Sequence, residues 1–138
     1  MNPAVLLDTC ALIWVAEGTD LKDDAATALD AAWQNGAAVA ISAISAWEVG
    51  LLVARRRLAM SVPPQAWFRR VAASPGVVVV GPEPDILIDS SFLPGTPPRD
   101  PADRIILATA RALGLPVMTR DKLILDYAEA GHIAVIPC

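Results

Sequence analysis

The chain has 138 residues, 54% of them hydrophobic and 19% charged, which predicts a single folded domain over residues 1–138 and excludes extensive disorder. The formal net charge of -4 argues against broad, nonspecific coating of DNA, although it leaves room for a local basic patch or for a metal site built from carboxylates.

Neither the apolar segments nor the cysteines indicate a membrane or secreted protein. The longest uncharged run, residues 31–47, is interrupted by glycine, serine and amide side chains and makes a poor membrane span. The opening "MNPAVLLD" has no basic region before its apolar stretch, unlike a signal peptide. Cys10 and Cys138 form neither a metal-type spacing nor a disulfide framework. We therefore expect a cytoplasmic protein with free thiols and no membrane contact.

Short apolar runs alternate with amphipathic stretches along the chain. The apolar runs do not alternate with polar residues, which is typical of strands buried on both faces of a parallel sheet; they cover residues 4–7, 38–41, 77–80, 116–119 and 133–136. Helices are predicted between them, over residues 21–35, 43–57, 63–73, 85–92, 101–114 and 122–130, from the positions of Ser, Asp and Pro at their starts and Gly at their ends. This alternation predicts a three-layer α/β/α domain with a parallel sheet.

Two acidic residues follow predicted strands. Asp8 ends the first apolar run, and Asp121 lies two residues after Thr119, at the end of the fourth. Ligands of open parallel sheets bind beyond the carboxyl ends of the strands. We therefore expect both carboxylates at the same edge of the sheet.

Two further acids lie on helix stripes that are otherwise apolar. Glu48 has Ile44, Leu51 and Leu52 as its neighbours on one helix face, and Asp103 shares a stripe with residues 106, 107 and 110. Asp103 also occupies the third position of its helix, where free N–H groups favour an anion. Burying a polar group without a hydrogen-bond partner costs about 2–7 kcal/mol, and burying an unpaired charged carboxylate costs more. These positions therefore call for basic partners or for a cation.

An oxygen-only ligand set indicates a hard divalent ion. Arg104 and Arg120 are adjacent in sequence to Asp103 and Asp121, but adjacent residues do not share a helix face. Without His or Cys, the four acids fit Mg²⁺ or Mn²⁺ better than zinc, which suggests metal-assisted cleavage of phosphodiester bonds. Three acids also have a structural interpretation: Asp8 as a turn residue, Asp100 as a helix cap in preference to a ligand, and Asp121 as a cap that can also ligate. Glu48 and Asp103 are the hardest to explain structurally, because their helix stripes are otherwise apolar.

In these segments the chain resembles the PIN-domain ribonucleases, in particular the VapC-type toxins of prokaryotic type II toxin–antitoxin pairs. The resemblance lies in "LLDTCALIW", "ISAISAWEVGLLVARRRLAM" and "DPADRIILATARALGLPVMTRDKLI", which carry Asp8, Glu48, and Asp103 with Asp121. Thr9 and Thr119 match hydroxyl positions that accompany these acids. The likeness covers nearly the whole chain.

The resemblance implies a sheet in the order 3-2-1-4-5 and an endoribonuclease that depends on Mg²⁺ or Mn²⁺. The metal would be held chiefly by Asp8 and Asp103, with Asp121 close by, while Glu48 would bind a second metal or position the attacking water. It also implies a homodimer and a cognate antitoxin protein whose tail covers the site.

The chain departs from the family at two positions, and several basic residues keep two interpretations. Relatives often carry His where this chain has Cys10 and Pro98; for Cys10 we expect a core role or support of the ligating acids. Arg99 and Arg104 are candidates for holding a substrate phosphate. The basic run 55–57 has two open interpretations: it stabilises the C-terminus of a helix, or it contacts RNA or an acidic partner.

Other α/β phosphoryl-transfer domains fit less well. A receiver domain requires an aspartate after the third strand, where this chain has Gly81 and Pro82, and a dehalogenase-type phosphatase requires an acid at the position of Cys10. The remaining alternatives are a PIN-like module that binds RNA or a partner with little or no nuclease activity, and a PIN nuclease that processes RNA in a housekeeping role. The presence of all four acids argues against the first.

Overall fold

The protein is built around one parallel five-stranded sheet. In a computed structural model that describes residues 2–138, the strands lie in the order β3-β2-β1-β4-β5 and every neighbouring pair is parallel. The strands are β1 (Pro3–Leu7), β2 (Ala38–Ser42), β3 (Val77–Val80), β4 (Val117–Thr119) and β5 (Val135–Pro137). The predicted parallel sheet and its order are confirmed.

Within the described residues, seven helices connect and cover the strands: α1 (Thr9–Ala16), α2 (Asp23–Gln34), α3 (Ile44–Ala54), α4 (Pro64–Ala72), α5 (Pro84–Asp89), α6 (Pro101–Leu113) and α7 (Lys122–Glu129). The start of α6 follows the sequence signals closely, because Asp100 caps it and Pro101 is its first residue. Gly114 ends it in the left-handed conformation, with φ of 67°, which glycine adopts without steric cost.

The two faces of the sheet pack against separate groups of helices. In β1, Val5 and Leu7 point into a core shared with α1, α2 and α4, whereas Leu6 points into a core shared with α3, α6 and α7. Side chains alternate between the faces of a strand, so a fully apolar run supplies both cores. The predicted three-layer α/β/α architecture is confirmed.

Four local predictions are corrected. Helix α1 was not predicted, because "TCALIWVA" is apolar on all sides and has no helical period to detect. Helix α3 ends at Ala54, so residues 55–57 lie beyond it, and Arg56 has a positive φ of 57°. Ser42 ends β2, although its hydroxyl still accepts a hydrogen bond from the Ile44 N–H at 3.1 Å. The outer strands are less buried than the central ones, and Val79 in β3 is 44% exposed.

The helices within residues 2–138 are all too short or too polar to span a bilayer.

Candidate active site

Asp8 connects the first strand to the first helix and is almost fully buried. It caps α1, with Oδ1 accepting a hydrogen bond from the Ala11 N–H at 2.8 Å, and only 4% of the residue is exposed. Its Oδ2 accepts a hydrogen bond from the Thr119 hydroxyl. Burial raises the pKa of Asp8, while the bonds from Thr119 and Ala11 lower it and the nearby Asp121 raises it further. Asp8 is therefore a cap and a buried carboxylate at once.

Glu48 reaches the same region from α3 and is held by Thr9. The Thr9 hydroxyl donates to Glu48 Oε1, which leaves the buried Ser45 hydroxyl, 2.9 Å away, to donate to Thr9. Burial is the main cause of the raised pKa of Glu48, and the charges of Asp100 and Asp8 add to it. Thr9 thus joins the start of α1 to the acid-bearing face of α3.

Asp100 and Asp103 enter from the N-terminus of α6. Asp100 accepts a hydrogen bond from the Asp103 N–H at 3.0 Å, so the predicted cap is confirmed. Burial, followed by the charges of the surrounding acids, raises the pKa of Asp103 to about 7. The structure also brings the Asp100 carboxylate into the acidic group, although the sequence favoured a cap over a ligand at this position.

Asp121 caps α7 at the end of β4. Its Oδ1 accepts from the N–H groups of Leu123 at 2.9 Å and Ile124 at 3.2 Å. Thr119 connects Asp121 to Asp8, because its hydroxyl donates to Asp8 and accepts from the Asp121 N–H at 3.0 Å. The two strand-end acids predicted to meet at one edge are therefore linked through a single buried hydroxyl.

The carboxylates form a cluster in which no basic side chain makes a salt bridge, although the charge of Arg120 acts on Asp8 from a greater distance and lowers its pKa. Oxygens of Glu48, Asp100 and Asp103 all lie within 4.8 Å of one another, and Asp8 and Asp121 are close enough to raise the pKa of Asp103. Within residues 2–138, the sole salt bridge joins Lys122 and Asp126 on the surface of α7. Like charges gathered in a half-buried site destabilise one another unless a cation compensates them. The donors are oxygens, which suit a hard divalent ion.

The two arginine candidates differ in their surroundings. Arg104 donates from Nε to the Pro98 carbonyl at 2.6 Å, so its guanidinium is fixed against the proline-rich loop. Arg99 is exposed and directly precedes Asp100. Arg99 is thus the better placed of the two for a phosphate near the acids.

Cys10 is not a core residue, contrary to one of the two expectations. It is exposed on the first turn of α1 and lies near four acids. Partial burial and the charges of Asp8, Glu48, Asp103 and Asp121 raise the pKa of its thiol to about 11. The thiol is therefore protonated at neutral pH and is a weak metal ligand.

Comparisons with known proteins identify the family of the chain. A model of the PIN domain matches residues 5–130. Ribonuclease VapC22 from Mycobacterium tuberculosis is 32% identical over 132 residues, covering 95% of this chain and 97% of that protein.

Solved structures share the fold over nearly the whole chain. VapBC2 from Rickettsia felis, bound to a DNA fragment from its promoter, aligns with a TM-score of 0.68 at 12% identity, over 97% of this chain and 98% of that one. A toxin–antitoxin complex from Klebsiella pneumoniae aligns with a TM-score of 0.62 at 27% identity, over 96% of each chain. With the family model covering most of its length and a VapC ribonuclease as a full-length homologue, the chain belongs to the PIN-domain family.

Proposed function

We propose that this protein is an endoribonuclease that depends on Mg²⁺ or Mn²⁺ and acts as the toxin of a toxin–antitoxin pair. The observation that carries the proposal is the convergence of Asp8, Glu48, Asp100, Asp103 and Asp121 at one sheet edge with no basic side chain bound to them. Homology to Ribonuclease VapC22 supports RNA as the substrate class. The structures of toxin–antitoxin complexes with the same fold support an antitoxin partner.

Asp8 and Asp103 are the residues we expect to hold the cation, with Asp121, Asp100 and Glu48 beside them. Asp8 is fixed by two hydrogen bonds, so its carboxylate is already oriented for binding. A divalent ion held there would act as a Lewis acid toward a phosphate oxygen and would favour ionisation of the attacking water.

The protein's own side chains orient the reactants. Hydrolysis adds water across a P–O bond: the water oxygen bonds to phosphorus, the ester oxygen leaves, and the water proton passes to a carboxylate or to solvent. We expect Glu48, held by Thr9, to orient the water or to bind a second ion, and we expect the exposed Arg99 to contact a phosphate oxygen. Thr9 and Thr119 position acids and do not react.

Three further features belong to this proposal. We infer one PIN domain over residues 1–138, which is supported by a single sheet reaching from Pro3 to Pro137. Exposed apolar side chains on and after α5, namely Leu87, Ile88 and Phe92, support a homodimer, which light scattering of the purified protein tests. We also propose that the protein acts in the cytoplasm, where its RNA substrate is found.

Removal of divalent ions tests the metal requirement. EDTA should stop cleavage of RNA by the purified protein, and added Mg²⁺ or Mn²⁺ should restore it, because the clustered acids need a cation to bind a phosphate. Cleavage that continues unchanged in chelator would refute the metal assignment.

The Asp8→Asn variant tests the catalytic assignment. Asn keeps an oxygen that can accept from the Ala11 N–H, so the cap and the fold should survive while cleavage is abolished. Asp30→Asn, at an exposed position of α2, is the matched control and should retain activity. A folded Asp8→Asn protein with full activity would contradict the mechanism, and an inactive wild-type protein would favour a PIN-like binding module.

A further inference from the structure

A pocket of about 540 Å³ opens beside the acid cluster, between the proline-rich loop and α7. The loop contributes Thr96, Pro97, Pro98 and Arg99, and the helix contributes residues that include Leu123 and Asp126. Two of the lining residues are chain neighbours of the acids, because Arg99 precedes Asp100 and Leu123 follows Asp121 by two residues. A substrate strand centred on the acids would therefore place a neighbouring nucleotide at this pocket.

The loop that forms one wall is held in place by side chains from other elements. The Tyr127 hydroxyl donates to the Pro94 carbonyl at 2.6 Å, and Arg104 Nε donates to the Pro98 carbonyl at 2.6 Å. Gly95, with φ of 70°, lies so close to His132 that a Cβ atom would come within 2.6 Å of the ring Nε2. The wall is therefore already formed before any ligand binds, which reduces the entropy cost of binding.

The lining combines apolar faces with two charged groups. Leu123 is 61% exposed, and Pro97 and Pro98 belong to the same lining. Arg99 forms no salt bridge among the described residues, and the Asp126 carboxylate is held only by the exposed Lys122. Flat apolar surfaces can pack against the base of a nucleotide, and a guanidinium can bind the phosphate of that nucleotide. A carboxylate can accept a hydrogen bond from an N–H group of the base.

We propose that this pocket binds an unpaired RNA base from a nucleotide next to the scissile phosphate. The inference rests on the proposed ribonuclease function and adds a site of base selection to it. Proteins that read RNA sequence usually capture unstacked bases of single strands, which expose both their faces and their hydrogen-bonding edges. The volume falls in the range of roughly 300–1,000 Å³ that is usual for small-ligand pockets. The Asp126 carboxylate only accepts hydrogen bonds, so it favours bases with an exocyclic amino group, which are adenine, guanine and cytosine, over uracil, whose one N–H on that edge lies between two carbonyl oxygens.

The test is digestion of a randomised single-stranded RNA pool, followed by sequencing of the new ends. The wild type should show a base preference at a position adjacent to the cleaved bond. Leu123→Ala, which shortens the apolar wall, and Ala130→Phe, which fills the pocket, should both flatten that preference, and Leu123→Ala should raise KM by roughly fivefold to tenfold. Leu113→Ala is the matched control, since this leucine is similarly exposed, at 46%, on a helix end outside the pocket.

Each outcome decides a different point. Loss of the base preference in both pocket variants, with an unchanged preference in Leu113→Ala, supports the base site. Pocket variants that cleave with the wild-type preference overturn the base site and leave the nuclease function intact. If the preference is unchanged but inhibition by a protein partner weakens, the pocket binds that partner and the base site is likewise overturned. A wild-type protein that cleaves no RNA overturns both proposals.

Discussion

Thr119 is a small buried residue that connects two acids of the proposed active site. Its hydroxyl joins the Asp8 carboxylate to the Asp121 backbone, and the residue is fully buried at the end of β4. Without the hydroxyl, Asp8 would lose one of its two hydrogen bonds and the link to α7. A hydrogen bond to a ligating carboxylate fixes its orientation and is often as important as the ligand itself.

The Thr119→Val variant should lower RNA cleavage by about 10- to 100-fold, the usual effect of losing a group that orients a ligand. Valine has nearly the same shape, so the loss isolates the hydroxyl. Thr109→Val is the matched control, because Thr109 is equally buried but bonds only to the Ile105 carbonyl of its own helix. Equal activity of the two variants would show that the link between Asp8 and Asp121 is dispensable.

At the scale of the element, each acid is delivered by the end or the inner face of a secondary structure. Asp8, Asp100 and Asp121 all cap helices, so the same backbone N–H groups that begin a helix also orient the carboxylate. Glu48 lies within α3 and is positioned instead by Thr9. A sequence can therefore reveal caps and strand ends, but not which caps face the site.

Two substitutions of Asp100 separate its role as a cap from its role in the cluster. Asp100→Ala should destabilise the protein by about 1 kcal/mol, because the Asp103 N–H loses its partner, whereas Asp100→Asn keeps the cap and should unfold near the wild-type temperature. Both should lose cleavage activity if the carboxylate contributes to cation binding. Thermal unfolding and cleavage assays on the two proteins measure this, and full activity of Asp100→Asn would limit Asp100 to capping.

At the scale of the whole molecule, the acid cluster should make stability depend on pH when no divalent ion is bound. The pKa of Asp103 is raised from 3.8 to about 7, and burial also raises those of Asp8 and Glu48. Between about pH 4 and about pH 7, these carboxyls keep their protons in the folded protein but lose them in the unfolded chain. The free energy of unfolding therefore falls as the pH rises through this range. A cation that binds only the folded state should reverse this loss.

Thermal unfolding in EDTA across that pH range measures the effect. The unfolding temperature should decline toward neutral pH in the wild type and decline less in Asp103→Asn, which lacks the carboxyl whose pKa is raised to about 7. Added Mg²⁺ or Mn²⁺ should raise the unfolding temperature near neutral pH. An unfolding temperature that does not change with pH in EDTA would argue that the carboxylates do not repel one another in the folded protein.

Much of the fold follows from local signals in the sequence. Apolar runs without alternation indicate strands with two buried faces, and the cap at Asp100 with Pro101 marks the start of α6 to the residue. Helix α1 gives no such signal, since an apolar octapeptide has no polar face from which a period can be detected.

The sequence by itself determined the parallel sheet and the acids at its strand ends and helix stripes, because these depend on spacings of a few residues. Only the tertiary structure decided that Asp100 joins the cluster, that Thr119 links Asp8 to Asp121, and that Arg104 is bound to the proline-rich loop. Asp8 and Thr119 are separated by 111 positions along the chain, and they meet only because β1 pairs with β4. Pairing of distant strands depends on the packing of the whole chain, which no local pattern encodes.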